Sequence, residues 1–263
     1  MAPTKGFKGL LAISRIHLME RVKASGVHLL LSATAVGLLA LSMWLLWYRP
    51  PYFFIDGGWH VLRILIAVDV VLGPLLTFIV FNRAKPELKR DLAVIVLIQL
   101  CAFFYGAGML YAHRPAFAVA ADGNFFCVNW REIAKAGGDT AAAETLARSQ
   151  RAPAFVFAEP PASRAERDAL MSIAAGGGPL PVHYASRYQT LTPAHWDAMY
   201  RKITQMESMA KDDASIGVEL ARVRAAHPGV PPVRLGFVPL SCRYGLVMLV
   251  YDRESRAQID QMD

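Results

Sequence analysis

Residues 26–48 read GVHLLLSATAVGLLALSMWLLWY, and none of these 23 residues carries a formal charge. At a rise of about 1.5 Å per residue, a helix of this length crosses a hydrocarbon core about 30 Å thick. Trp44, Trp47 and Tyr48 gather at its end, as aromatic residues do where a membrane span meets the interface. The stretch predicts a transmembrane helix and therefore an integral membrane protein.

Two more stretches are also long enough and apolar enough to cross a membrane. One carries no charge, and the other is interrupted by Arg63 and Asp69. We interpret all three as membrane spans. The chain then divides into an arm (1–25), a first transmembrane helix (26–48), a loop (49–58), a second helix (59–81), a loop (82–91), a third helix (92–112) and a C-terminal domain (113–263).

The net charge of +7 comes almost entirely from residues 1–113, which hold 11 Lys and Arg against 5 Asp and Glu. The basic residues concentrate in the arm and in the 82–91 loop, whereas the 49–58 loop has one Arg and one Asp. Cytoplasmic segments carry the excess of Lys and Arg. We therefore predict that the arm and the 82–91 loop are cytoplasmic, and that the 49–58 loop and the C-terminal domain lie outside. The arm either lies on the membrane surface or extends the first helix.

Local signals in the C-terminal domain predict a mixture of strands and helices. Asp122-Gly123 between two apolar runs is a strong signal for a two-residue hairpin. Asn129 with Glu132, and Ser163 with Glu166, have the spacing of capping boxes that open helices. The fold class predicted for the chain is three transmembrane α-helices followed by an α+β domain with small sheets. Further strands are predicted at residues 154–158, 235–240 and 246–252.

Two cysteines of the C-terminal domain, Cys127 and Cys242, fall beside the ends of predicted strands, whereas Cys101 lies in the third span. An oxidising compartment permits a disulfide, and we predict one between Cys127 and Cys242. The alternative is a pair of buried thiols, because the sequence does not show whether the two Cα atoms come within about 7 Å.

Motifs of catalysis are absent from the sequence. It contains no G-x-S-x-G, no Walker loop and no H-E-x-x-H, and no histidine pairs with another or with a cysteine at the spacing of metal ligands. We therefore predict a protein that is not an enzyme, with no catalytic residue, metal site or cofactor. The positive charges flank membrane spans, so the lipid bilayer is the predicted partner and nucleic acid is not.

The second span contains the residues that an ordinary membrane anchor does not need. Asp69 falls near its middle, where a charged side chain costs about 2.5 kcal/mol or more. Gly73 and Pro74 follow, and the proline predicts a kink because it leaves the carbonyl of Val70 without its hydrogen bond. Asp69, Gly73 and Pro74 are the candidate contact with a partner inside the membrane. The alternative is a structural carboxyl, protonated or bonded to Gln99 or Tyr105 of the third span.

Residues 59–106 (WHVLRILIAVDVVLGPLLTFIVFNRAKPELKRDLAVIVLIQLCAFFYG) resemble the hallmark region of type IV pilin accessory proteins of the TfpX/TfpZ kind. The hairpin FAVAADGNFFCVNWREI at residues 117–133 and the strand ending Pro239-Leu240 with Arg243 are also similar to that family. Where the family ends its last hairpin with a short tail, this chain reads Tyr251-Asp252-Arg253-Glu254 and continues. The matched residues of the hallmark region are Asp69, Gly73, Pro74, Thr77, Asn82, Lys85, Pro86, Arg90 and Asp91.

The resemblance implies a bacterial inner-membrane protein that acts on the major type IV pilin and modulates its stability, its assembly or the dynamics of the pilus. It implies no enzymatic activity, and it makes the outer loop and the C-terminal domain periplasmic. Two other functions remain open: a membrane enzyme acting on a periplasmic or lipid-linked substrate, and a membrane sensor.

Overall fold

The computed structural model describes residues 5–138, 140–150 and 152–262, with side chains from His17 onward. Residues 1–4 of the predicted arm and the last residue of the predicted domain lie outside that description. The chain separates into two compact units. The first runs to Leu46 and resumes with Gly58–Tyr111, whereas the second combines Trp47–Gly57 with the chain from Ala112 onward.

The described chain folds into helices and strands with the following bounds. The helices are α1 (Lys5–Ser42), α2 (Tyr52–Ile55), α3 (Gly58–Leu65), α4 (Gly73–Val80), α5 (Leu88–Ala112), α6 (Trp130–Ala136), α7 (Ala141–Ser149), α8 (Arg164–Ala175), α9 (Pro193–Met199), α10 (Ile203–Asp212) and α11 (Ala214–Ala226). The strands are β1 (Phe117–Ala121), β2 (Asn124–Val128), β3 (Ala154–Ala158), β4 (Tyr188–Thr190), β5 (Arg201–Lys202), β6 (Leu235–Cys242), β7 (Gly245–Asp252) and β8 (Ala257–Met262).

Three helical stretches among the described residues are long and apolar enough to cross a membrane: His17–Trp47, Gly58–Val80 and Leu88–Ala112. Only 11–28% of the residues in their apolar windows are buried inside the protein, so most of this apolar surface faces outward, as lipid-facing helices require. The three predicted apolar helices are therefore present. Because α1 begins at Lys5, the described part of the arm extends the first helix.

The second stretch, named the middle helix below, is not a regular α-helix. Its α3 and α4 parts are joined by a π-helical segment, Ile66–Leu72, which contains Asp69. Pro74 follows as the second residue of α4. Such π-helical segments inside α-helices occur frequently at functional sites.

The second unit is built on one mixed sheet, with strand order β4-β3-β1-β2-β6-β7-β8 and β5 paired to β6. This differs from the small sheets predicted, because β1 pairs parallel with β3 and β2 pairs parallel with β6. Both faces of the sheet are covered: Ala118 and Ala120 of β1 belong to one apolar cluster, and Phe117 and Val119 belong to another.

The 49–58 loop is part of the core of the second unit. Tyr52 and Ile55 of α2 pack in the same buried cluster as Leu240 and Leu249. The backbone N–H of Tyr244 donates to the carbonyl of Ile55 at 2.8 Å. The loop predicted as a separate connection therefore contributes apolar side chains to the fold of the C-terminal domain.

Local signals in the domain give the helix starts correctly. Asn129 caps α6 with the reciprocal bonds of a capping box, in which the carboxylate of Glu132 accepts from the N–H of Asn129 at 2.9 Å. The Ser163 hydroxyl accepts from the N–H of Glu166 at the start of α8. Both predicted helix starts are confirmed, because capping depends on neighbours in the chain.

Candidate functional site

A groove of about 1010 Å³ lies in the first unit. Its walls are apolar side chains of α1 and α5, such as Leu31 and Val96. Asp69 and Thr77 of the middle helix and Gln99 of α5 supply polar groups to its lining. We name this feature the helical groove.

Asp69 is buried in the helical groove without a donor. The residue is 4% exposed, and neither carboxylate oxygen has a hydrogen-bond partner among the described residues. Buried polar groups in folded proteins are normally paired, and an unpaired one destabilises the state that contains it. The described residues therefore supply no donor to this carboxyl group.

Gln99 contributes a second unpaired acceptor. Its Nε2 donates to the backbone carbonyl of Asp69 at 3.3 Å, while its Oε1 is buried with no partner in the described part of the chain. The structural alternative for Asp69 is either a protonated carboxyl or a carboxylate bonded to Gln99 or Tyr105. Gln99 bonds the main chain instead, and Tyr105 is 73% exposed.

Two glycines let α5 and the middle helix approach each other. A β-carbon on Gly73 would be 1.9 Å from Nε2 of Gln99, and one on Gly106 would be 2.7 Å from Cδ2 of Leu65. Small residues serve this purpose in membrane helix packing. Gly73 therefore fixes where the amide of Gln99 lies.

Polar bonds attach α1 to the middle helix. The hydroxyl of Ser25 donates to the carbonyl of Pro74 at 2.8 Å. His28 Nδ1 and Thr77 Oγ1 form a hydrogen bond of 2.6 Å. Both α1 and α5 contact the middle helix. The helical groove is the space that remains between α1 and α5.

The structure separates the three residues predicted as a partner contact. Asp69 lines the helical groove, whereas Gly73 and Pro74 are buried against neighbours, Gly73 by Gln99 and Pro74 near Ser25. Asp69 thus lines the groove, and the other two position the groups around it.

The predicted cysteine pair lies in the second unit. Cys127 of β2 and Cys242 of β6 are joined by a disulfide, with their Cα atoms 4.8 Å apart, within the range that such bonds require. The strands β2 and β6 are parallel and pair Phe126 with Ser241. The residues that follow these two in each strand are Cys127 and Cys242, so the register brings the cysteines side by side. The oxidation state in the cell stays a prediction.

A buried carboxylate, Asp56, lies beside this disulfide and is 4% exposed. Burial raises the pKa of Asp56 to about 7, although the guanidinium and the backbone N–H of Arg243 favour the charged form. A ligand atom of Asp56 and the two sulfur atoms lie within 4.8 Å of one another. Metals bind thiolates, so the sulfurs are not ligands while they are bonded to each other.

Curated proteins from Dichelobacter nodosus are similar to part of this chain. The fimbrial assembly protein of serogroups C1 and C2 is 42% identical over 99 residues, which is 37% of this chain and 76% of that protein. The chain belongs to this fimbrial assembly protein family. The family's proteins of serogroups I and E1 are 42% and 40% identical over 99 residues, and there the chain covers 38% of each relative's length. No family model and no solved structure matches the chain.

Several residues around the site of this fimbrial assembly family member carry only weak signals in the sequence. Gln99 and His28 stand out only as polar residues within apolar segments, a signal that also fits ordinary contacts between helices, whereas Thr77 is in addition one of the matched residues of the hallmark region. Asp56 follows the apolar run Tyr52-Phe-Phe-Ile55, which is the one local sign that its carboxylate is buried. Their grouping depends on contacts between segments far apart in the chain.

Proposed function

We propose that the protein is a bacterial inner-membrane accessory protein of type IV fimbrial biogenesis, of the TfpX/TfpZ kind. It binds the major pilin and influences the stability or assembly of pilin, or the dynamics of the pilus. The observation that carries the proposal is the helical groove with the unpaired carboxylate of Asp69. The membership in the fimbrial assembly family supports the biological setting.

A pilin before assembly suits such a site, because it has one apolar N-terminal helix in the inner membrane and a globular head outside. The apolar walls of the helical groove match the helix, and its buried acceptors match a polar group on it. A protein with apolar helices and an outer domain also has a surface for the head. We therefore propose binding, and not catalysis, as the activity.

The second candidate function is a membrane hydrolase. The observation in its favour is the bond between Thr77 Oγ1 and His28 Nδ1, since a hydroxyl beside an imidazole is the arrangement of an activated nucleophile. Thr77→Val separates the two functions. It removes the hydroxyl and abolishes a hydrolytic activity, whereas pilin binding is weakened only as far as the lost bond to His28 loosens α1 from the middle helix.

Co-purification tests the proposed function. The full-length protein carries an affinity tag in a pilus-producing cell and is extracted in mild detergent. We expect the major pilin to be recovered with it, and not with a tagged three-span inner-membrane protein of the same cell expressed at equal level. Absence of pilin, or equal recovery with both proteins, would contradict the proposal.

A further inference from the structure

The three apolar helices of the first unit form an incomplete bundle. Ser25 and His28 attach α1 to the middle helix, and Gln99 and Gly106 of α5 pack against the same helix. The space between α1 and α5 is occupied by no described residue and forms the helical groove. A fourth helix laid there would contact both walls.

The walls of this space are mostly apolar, with the charged residues Glu20 and Lys23 toward one end, and the apolar side chains are exposed. Leu31 of α1 is 66% exposed, and Phe104 of α5 is also 66% exposed, although both line the groove. The floor of the groove contains Asp69 and Gln99. Together these two side chains present three buried acceptor oxygens without a partner among the described residues.

We propose that the helical groove holds a transmembrane helix of the partner, apolar except for one hydrogen-bond donor that reaches Asp69 and Gln99. The identity of that helix as the membrane segment of pilin rests on the function proposed above. The donor belongs to an amine, amide, guanidinium or hydroxyl group of a residue within the span.

A transmembrane helix accounts both for the unpaired acceptor oxygens in the floor of the groove and for the apolar side chains of its walls. Lipid chains fill an apolar groove, but they bring no donor to buried oxygens that lack one. A helix satisfies its own backbone, so its side chains remain free to donate. Helices in membranes associate through close packing and hydrogen bonds between helices, and the groove offers both.

Synthetic peptides test this without pilin. The probe is a Leu/Ala transmembrane peptide with one central Lys, and its control is the same peptide with norleucine, which has nearly the same shape and no donor. Both are titrated against the purified full-length protein in nanodiscs. We expect the Lys peptide to bind about tenfold more tightly, and we expect Asp69→Leu to remove the difference.

A matched pair of variants tests the location. Leu31 lines the helical groove, whereas its neighbour Leu30 does not, and the two are 66% and 68% exposed. Since both side chains are on the surface, tryptophan at either position leaves the core intact. We expect Leu31→Trp to weaken binding of the Lys peptide about tenfold, and Leu30→Trp to leave it unchanged.

The outcomes separate this inference from the proposed function. Equal affinity for the two peptides, binding of neither, or equal effects of the two tryptophan variants would overturn the inference. Pilin that co-purifies equally with Leu31→Trp and Leu30→Trp would leave the pilin function standing and refute the groove as its site. Failure of pilin to co-purify refutes the function and leaves the peptide result as the test of the groove.

Discussion

Gly73 lies directly against the side chain of Gln99, so a β-carbon at position 73 would be 1.9 Å from Nε2. In Gly73→Ala the amide must move, and because it is the far end of a flexible side chain, the fold is kept. We expect the loss of the bond to the Asp69 carbonyl to weaken partner binding about three- to tenfold, measured with pilin or with the Lys peptide. Gly108→Ala is the control, since a β-carbon there would have no described neighbour within 4 Å. Equal binding by both variants would refute the role of Gln99.

Asp69→Ala tests whether the buried carboxylate has a function or only a structural role. Removing an unpaired buried carboxylate is neutral or stabilising for the fold, so we expect unchanged accumulation in the membrane. Pilin recovery should fall about tenfold, because the partner loses its acceptor. Glu87→Ala removes a carboxylate that is 56% exposed and should change neither quantity. Lower accumulation with normal pilin recovery per molecule would make Asp69 structural.

The orientation in the membrane is open to direct measurement. The excess of Lys and Arg predicts a cytoplasmic 82–91 loop and a periplasmic C-terminal domain. Alkaline phosphatase fused after Lys89 should be inactive, and the same enzyme fused after the last residue should be active. The reverse pattern would overturn the predicted topology.

The disulfide between Cys127 and Cys242 should protect both thiols from alkylation. In the denatured, unreduced protein we expect one labelled cysteine, Cys101, which is a free thiol, and three after reduction. Cys127→Ser should lower the free energy of unfolding of the second unit by about 2–5 kcal/mol, because the bond closes a separation of 115 residues. Three labels without reductant would exclude the bond.

Asp56 should make the second unit less stable as the pH rises. Its pKa is raised by burial to about 7, above the value in the unfolded chain, so the folded state holds the extra proton between about pH 4 and pH 7. The free energy of unfolding should fall across that window by up to about 1.4 kcal/mol per pH unit. Asp56→Asn keeps the shape and removes this dependence. The measurement is hydrogen exchange of the second unit as a function of pH, in the full-length protein and in its Asp56→Asn variant. Identical pH profiles of the two would contradict the prediction.

Much of the fold can be predicted because its signals are local. Span length and charge give the three apolar helices, and Asn129 and Ser163 mark helix starts through neighbours three residues away. The parallel pairing of β1 with β3 and the place of Tyr52 in the core depend on residues distant in the chain. The strand β8 escapes prediction, since Ala257–Met262 is a polar edge strand with little apolar pattern.

In the candidate site, too, the local features can be predicted from the sequence and the contacts between distant residues cannot. Asp69 is visible in the sequence because a carboxylate in an apolar span is unusual. Its lack of a donor is not visible, since that depends on Gln99 turning its amide to the main chain over Gly73. The groove itself results from how α1 and α5 attach to the middle helix, which no local pattern specifies.

Tyr52 and Ile55 lie in the core of the C-terminal domain. Their place there determines whether the number of membrane crossings between them and the domain is odd or even. One hydrophobic core cannot be assembled from opposite sides of a bilayer, so the chain between Gly57 and Ala112 must cross an even number of times. Gly58–Val80 and Leu88–Ala112 are the two stretches in this part of the described chain that are long and apolar enough to make these crossings. A substitution that stops either one from inserting would leave α2 and the sheet in different compartments. The domain would then lose its fold through a change made entirely within the lipid.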